Sequence, residues 1–242
     1  MPAKWIPLEN NPEVLNAWAN AAGLVETENQ FCEVYGLDPE LLALVPRPVK
    51  AVVLLYPGNI DVIADKSKQE EEQIATGGQY PIDPSVIWVK QTISNACGTM
   101  AVLHALCNSG AALVPESPMK RYIKECKDKT PLERAKILEE APHFAEIHKT
   151  TAEAGQSSVP ADLYVEFHFT CFVQAPDVGA GATVSSAKKW RLLELNGARN
   201  GPIDRGESDD LLMDVANYVK EAYVAHVSSI HFSMMALAPP EL

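Results

Sequence analysis

The stretch Ala96 to Leu106 constrains the chain more than any other: Cys97, Met100, Ala101, Val102, Leu103, Ala105 and Leu106 make it apolar almost all round. A helix with no polar face must lie at the centre of a domain, covered on every side. The rest of the sequence supplies the cover. Ala51 to Tyr56 (AVVLLY) is β-rich and apolar on both faces, and Phe31 to Tyr35, Val86 to Lys90, Leu163 to Val173, Trp190 to Leu195 and Ile230 to Leu237 read as further strands. Pro12 to Ala22 reads as an amphipathic helix capped by Asn11 and ended near Gly23, and Pro39 to Leu44 as one capped by Asp38. Leu132 to Glu140 follows Thr130 as cap and Pro131 at the first position, and Leu211 to Ala225 is a further helix. Residues 65–80, with Gln69-Glu70-Glu71-Glu72, read as a solvated helix or loop. Residues 149–162 lack apolar periodicity and carry Gly155, Ser157, Ser158 and Pro160, the composition of a long flexible segment.

A chain of 242 residues with 47% hydrophobic content can bury such a core, and no repeat or low-complexity run divides it, so residues 1–242 read as a single domain. The net charge of −12, with no basic cluster longer than a pair, argues against a nucleic-acid partner and for a basic one. Ala51 to Tyr56 is the longest apolar run, against the ~20 residues of a membrane-spanning helix, so no membrane partner is expected. The N-terminus shows no apolar secretory leader. Cys32, Cys97, Cys107, Cys126 and Cys171 are odd in number without a CxxC pair, which fits free thiols in a cytoplasmic or nuclear setting.

Among these thiols Cys97 has a distinct context. It falls in the first turn of the buried helix, behind Ser94 or Asn95 as cap, where unpaired backbone N–H groups and the helix dipole favour thiolate. Gly98 beside it lets a substrate approach the backbone. A thiolate needs a base, and His168 stands mid-strand between Phe167 and Phe169, where a polar side chain is costly without a purpose; as a lone feature such a residue is more often a satisfied structural histidine than a catalyst. His104 lies nearly two helical turns beyond Cys97, too far to share its proton. His143 and His148 lack zinc-face spacing, so no metal or cofactor is expected. Gln91 precedes Cys97 by six residues, where its amide can face a carbonyl oxygen gaining charge. Asn196 ends the strand after that of His168 and can orient the imidazole, although Asn196-Gly197 is also a turn dipeptide.

These segments resemble the ubiquitin carboxyl-terminal hydrolase family of cysteine proteases: Trp5-Ile-Pro7-Leu8-Glu9 through Val14, Leu44-Val-Pro46-Arg-Pro48, Gln91-Thr-Ile-Ser-Asn-Ala-Cys97-Gly98-Thr99, Glu166-Phe-His168-Phe and Leu193-Glu194-Leu195-Asn196-Gly197. The resemblance implies an α+β fold with a papain-like core, a central, mainly antiparallel sheet flanked by helices, and a knotted backbone. It implies a thiol hydrolase that removes small adducts from the C-terminal glycine of ubiquitin or a close ubiquitin-like protein through a Cys thioester, and a monomer is expected. By that motif Cys97 is the nucleophile, His168 the general base and acid, and Gln91 the oxyanion donor. Glu9, Glu13 and Glu33 stand where the family meets ubiquitin's basic tail, and residues 147–162 match its crossover loop. Two departures stand out. Asn196 occupies the place of the orienting aspartate, with Ala198 before Arg199, and the link from Gln174 to Lys189 is long. The alternative reading is accordingly a ubiquitin-binding module with weakened catalysis.

Overall fold

In the computed structural model, which describes residues 4–156, 163, 165–179, 189–226 and 232–240, alternation of side chains along the strands splits the apolar residues into two cores. The strands are β1 (Gln30–Val34), β2 (Ala51–Pro57), β3 (Phe167–Pro176), β4 (Trp190–Leu195), β5 (Ile203–Glu207) and β6 (Ser233–Ala238). They form one sheet in the order β1-β6-β2-β3-β4-β5, every pair antiparallel. Val53, Phe169, Cys171 and Met235 point to one face and Val52, Leu54, Phe172 and Ala236 to the other, as a strand period of two demands.

The first face carries α1 (Pro12–Ala22), α4 (Cys97–Asn108), α5 (Pro118–Cys126), α6 (Pro131–Glu140) and α7 (Pro142–Glu153), with α4 enclosed as its composition requires. Met100 to Leu106 are all buried. The second face carries α8 (Leu211–Ala222), with α2 (Pro39–Leu42) and the start of α3 (Asp61–Gly77). This is the α+β, sheet-centred arrangement expected.

Several local expectations change. Val86 to Lys90 is not a strand, because side chains of α4 meet its backbone instead of a neighbouring strand. Asn108 exchanges two hydrogen bonds with Ile87 (2.8 and 2.9 Å), and Val89 N–H donates to His104 Nε2 (3.0 Å). β3 begins only at Phe167, since Leu163 has a positive φ of 54° that no strand accommodates. Residues 149–153 belong to α7, while residues 157–162 of the expected loop lie outside the described residues. Of the 65–80 stretch, residues 65–77 belong to helix α3, which buries only Ile63 and is held by ion pairs described below. Asp38 makes no side-chain cap bond to α2. The helix α5, capped by Ser117, and the strand β5 escaped the sequence pattern.

Two buried histidines give this fold a pH dependence. His104 accepts from Val89 and donates Nδ1–H to Leu195 O (3.2 Å), and His148 donates to Ile6 O (2.7 Å) while taking the Thr99 hydroxyl (2.8 Å). Burial pushes both down to about 4. The unfolded chain binds these protons from about pH 6.5 downward and the native chain does not, so stability is complete above pH 6.5 and is lost as pH falls towards 4. Each group then costs the fold about 1.4 kcal/mol per pH unit within that window. A urea midpoint falling steadily between pH 6.5 and 4 is the expected result, and a flat one would refute it.

Candidate active site

Cys97 is the first residue of α4, and the position before it is Ala96, which offers no side-chain cap. The sequence pointed to Ser94 or Asn95 there. Instead Asn95 adopts the left-handed conformation (φ 62°) and spends its amide on Trp5 O (3.1 Å) and Leu163 O (2.9 Å), tying the N-terminal segment to the chain entering β3. No capping oxygen therefore competes with the thiol for the first-turn N–H groups. Gly98 is obligatory for packing: a Cβ there would stand 2.9 Å from Leu8 Cβ and 3.3 Å from the Phe169 ring.

Burial alone would raise the Cys97 thiol, yet it lies below the ordinary thiol value, because the hydrogen bond and charge of His168 and backbone bonds from Phe169 and Gly98 outweigh burial. The partner behaves reciprocally. Burial would lower His168, but the Cys97 hydrogen bond and charge, the Asn196 bond and the charge of Glu194 hold it above the ordinary imidazole value. The pair therefore favours thiolate and imidazolium.

Asn196, 4% exposed, sits at the end of β4 and its Oδ1 accepts from His168 Nε2 at 2.8 Å. The same Oδ1 accepts the Ala198 N–H (2.9 Å), and Nδ2 donates to the Tyr56 hydroxyl (3.2 Å). A backbone N–H can only donate, so the amide is fixed in this sense and His168 Nε2 must carry a proton. That leaves Nδ1 for the thiol. Asn196-Gly197 is thus both a turn and the imidazole's anchor. Tyr56 also packs edge-on against His168, with centroids 5.7 Å apart.

Gln91 lies against this turn: its N–H donates to Gly197 O (2.9 Å), and a Cβ on Gly197 would stand 2.9 Å from Gln91 Cβ. Its Nε2 gives one hydrogen to Ile93 O (3.1 Å), and its Oε1 is buried with no hydrogen-bond partner among the described residues. Glu9 and Glu13 both approach the segment after α7. Glu9 accepts from Asn11 (2.8 Å) and its carboxylate lies within 2.9 Å of where a Cβ on Gly155 would stand, and Glu13 faces the Gln156 amide at 3.5 Å. Glu33 stands apart from that pair's contacts, exposed on the edge strand β1. On its other side the His168–Asn196 pair opens onto a cleft of about 490 Å³ beneath α3, lined by Gly58, Ile63, Ser67, Glu166 and Phe167.

The sequence pattern gave no sign of the polar network behind Asn196. Glu194, 1% exposed, accepts from Thr170 (3.1 Å), Tyr223 (2.9 Å), Tyr218 (3.4 Å) and twice from Arg205 (2.6 and 2.9 Å). Arg205 also pairs with Glu70, and Arg199 binds both Glu70 (2.7 Å) and Glu71 (2.8 Å) on α3.

A lowered thiol at a helix N-terminus, bonded to an imidazole that a side-chain amide anchors, defines a cysteine-type hydrolase. The comparisons make the class specific. The family model for ubiquitin carboxyl-terminal hydrolase, family 1, matches residues 5–224. Ubiquitin carboxyl-terminal hydrolase 3 of Arabidopsis thaliana is 35% identical over 240 residues, covering 97% of this chain and 94% of the relative. Ubiquitin carboxyl-terminal hydrolase isozyme L1 of Rattus norvegicus is 34% identical over 235 residues, covering 96% of each. The fold is shared with the catalytic domain of Trichinella spiralis UCH37, solved bound to ubiquitin vinyl methyl ester, at TM-score 0.69 and 19% identity over 99% of this chain and 97% of that one. The chain belongs to the ubiquitin carboxyl-terminal hydrolase family, and is a cysteine-type deubiquitinating peptidase.

Proposed function

We propose that this enzyme hydrolyses small adducts from the C-terminal glycine of ubiquitin, or of a close ubiquitin-like protein, through a thioester on Cys97. The observation that carries the reading is the thiol held low against an imidazole held high and anchored at 2.8 Å by Asn196. Cys97 Sγ attacks the glycine carbonyl carbon, and the developing oxyanion takes the Cys97 N–H and the second Nε2 hydrogen of Gln91. His168 gives its proton to the leaving group as the C–N or C–O bond breaks. It then takes a proton from the water that opens the thioester. Glu9 and Glu13 meet the basic tail of the substrate, with Glu33 adding negative charge further along the surface.

The test is hydrolysis of ubiquitin bearing a fluorogenic C-terminal amide. Turnover supports the reading, whereas tight binding with no turnover favours the ubiquitin-binding alternative, whose motive is the amide at position 196. Asn196→Asp gives the imidazolium a charged partner while Tyr56 can turn its hydroxyl hydrogen towards the new oxygen. A kcat increase of about fivefold is expected, from the roughly 1 kcal/mol by which a charged acceptor exceeds a neutral one. An unchanged or lower kcat would count against it.

A further inference from the structure

We infer that Glu194 is a positioning residue for His168: Asn196 supplies the imidazole's hydrogen bond, and the buried Glu194 carboxylate behind it supplies the negative charge that the amide lacks. The inference rests on the proposed role of His168 as base and acid. Its warrant is the geometry of one sheet face. Glu194 on β4 and Asn196 just past its end are two apart in extended chain, so they share that face, and the β3–β4 register sets Phe172 opposite Glu194, which puts His168 and Thr170 on the same side. Two paths then join carboxylate and imidazole. Thr170, two residues along β3 from His168, donates to Glu194 Oε1 at 3.1 Å. Tyr223 donates to the same oxygen at 2.9 Å and packs edge-on against Tyr56 at 4.9 Å, whose hydroxyl accepts from the Asn196 amide at 3.2 Å.

Among the described residues, every hydrogen-bond partner of the Glu194 carboxylate donates to it: Thr170 from β3, Tyr218 from α8, Tyr223 at that helix's C-cap and Arg205 from β5. That environment suits an acceptor-only carboxylate. Arg205 does not cancel the charge, because it is shared with Glu70, and Arg199 is divided between Glu70 and Glu71. The network holds three carboxylates against two guanidiniums, one negative charge in excess. In a buried setting that excess is screened far less than at the surface. Among the described residues, Cys97 from α4, Tyr56 from β2 and Asn196 just past β4 meet His168, and Glu166 and Arg199 line the cleft it opens onto; of the three that meet it only the thiolate is anionic. The imidazole sits above its ordinary value despite burial, with Glu194 among the causes.

The readout is the His168 imidazole resonance titrated by NMR in the Cys97→Ser chain, which requires no turnover and so separates this inference from the functional reading. Glu194→Gln is expected to lower the His168 midpoint by about one pH unit, the scale of one nearby buried charge. Adding Asn196→Asp to Glu194→Gln is expected to return it, because a carboxylate at 196 restores the lost charge. In catalytically intact chains the descending limb of kcat/KM against pH moves and returns with it. A purely structural Glu194 gives another pattern: a lower urea midpoint with an unmoved His168 midpoint in Glu194→Gln, and a urea midpoint that Asn196→Asp does not restore. Should Glu194→Gln fail to fold, Glu70→Gln, at the partly exposed end of the network, removes the same excess charge and is expected to lower the midpoint in the same direction. An unmoved His168 midpoint in the folded variants overturns the inference.

Discussion

Replacing Cys97 with serine is expected to lower turnover of a ubiquitin C-terminal amide by on the order of 10⁴-fold or more, with ubiquitin affinity nearly unchanged. The pair works because His168 and the helix terminus can ionise a thiol that burial would otherwise keep protonated. A serine hydroxyl titrates far too high for the same surroundings to ionise it, so the nucleophile is lost while the contact surface is kept. The chain carries its own internal control. Burial pushes Cys107, Cys126 and Cys171 up, so at mildly acidic pH iodoacetamide should label Cys97 well before those three. Retained turnover in Cys97→Ser, or labelling spread evenly over the cysteines, would remove Cys97 from the mechanism.

What the sequence could announce were features that local chemistry decides. A helix apolar all round, a cysteine at its start and a β-rich segment apolar on both faces each dictate a burial, and α4, Cys97 and β2 lie where those rules put them. Features built from contacts distant along the chain were illegible. Asn95 looks like a cap because Asn often is one; its actual partners, Trp5 and Leu163, are 90 and 68 residues away. Val86 to Lys90 has a strand's composition, but His104 and Asn108 take its backbone groups. The ion pairs that dock α3 join Glu70 and Glu71 to arginines more than 120 residues later, and a run of glutamates reads as a solvated face until those arginines are seen. Glu194 is the sharpest instance. A glutamate in an apolar strand carries no sign of whether it faces solvent or a buried arginine, so its charge enters the site only through the fold.

His168→Gln separates the two services the imidazole performs. Glutamine can keep a hydrogen bond to Asn196 but cannot become a cation, so burial of Cys97 would then be opposed only by the backbone bonds from Phe169 and Gly98. The sign follows directly: losing a nearby positive charge raises the thiol, and each unit of rise removes tenfold of the thiolate at pH below its value. Alkylation of Cys97 at pH 6 is therefore expected to fall by about tenfold or more, then to climb about tenfold per pH unit until the thiol of the variant ionises. The parent should keep the larger thiolate fraction over that range, since the hydrogen bond and charge of His168 hold its thiol below the ordinary value. Hydrolysis must fall further than alkylation, because an amine leaving group needs a proton that glutamine cannot deliver. The gap between the two losses therefore measures general acid catalysis apart from thiol activation. Equal losses would confine His168 to ionising Cys97, and a flat alkylation profile in the variant would mean that the helix terminus alone holds the thiolate.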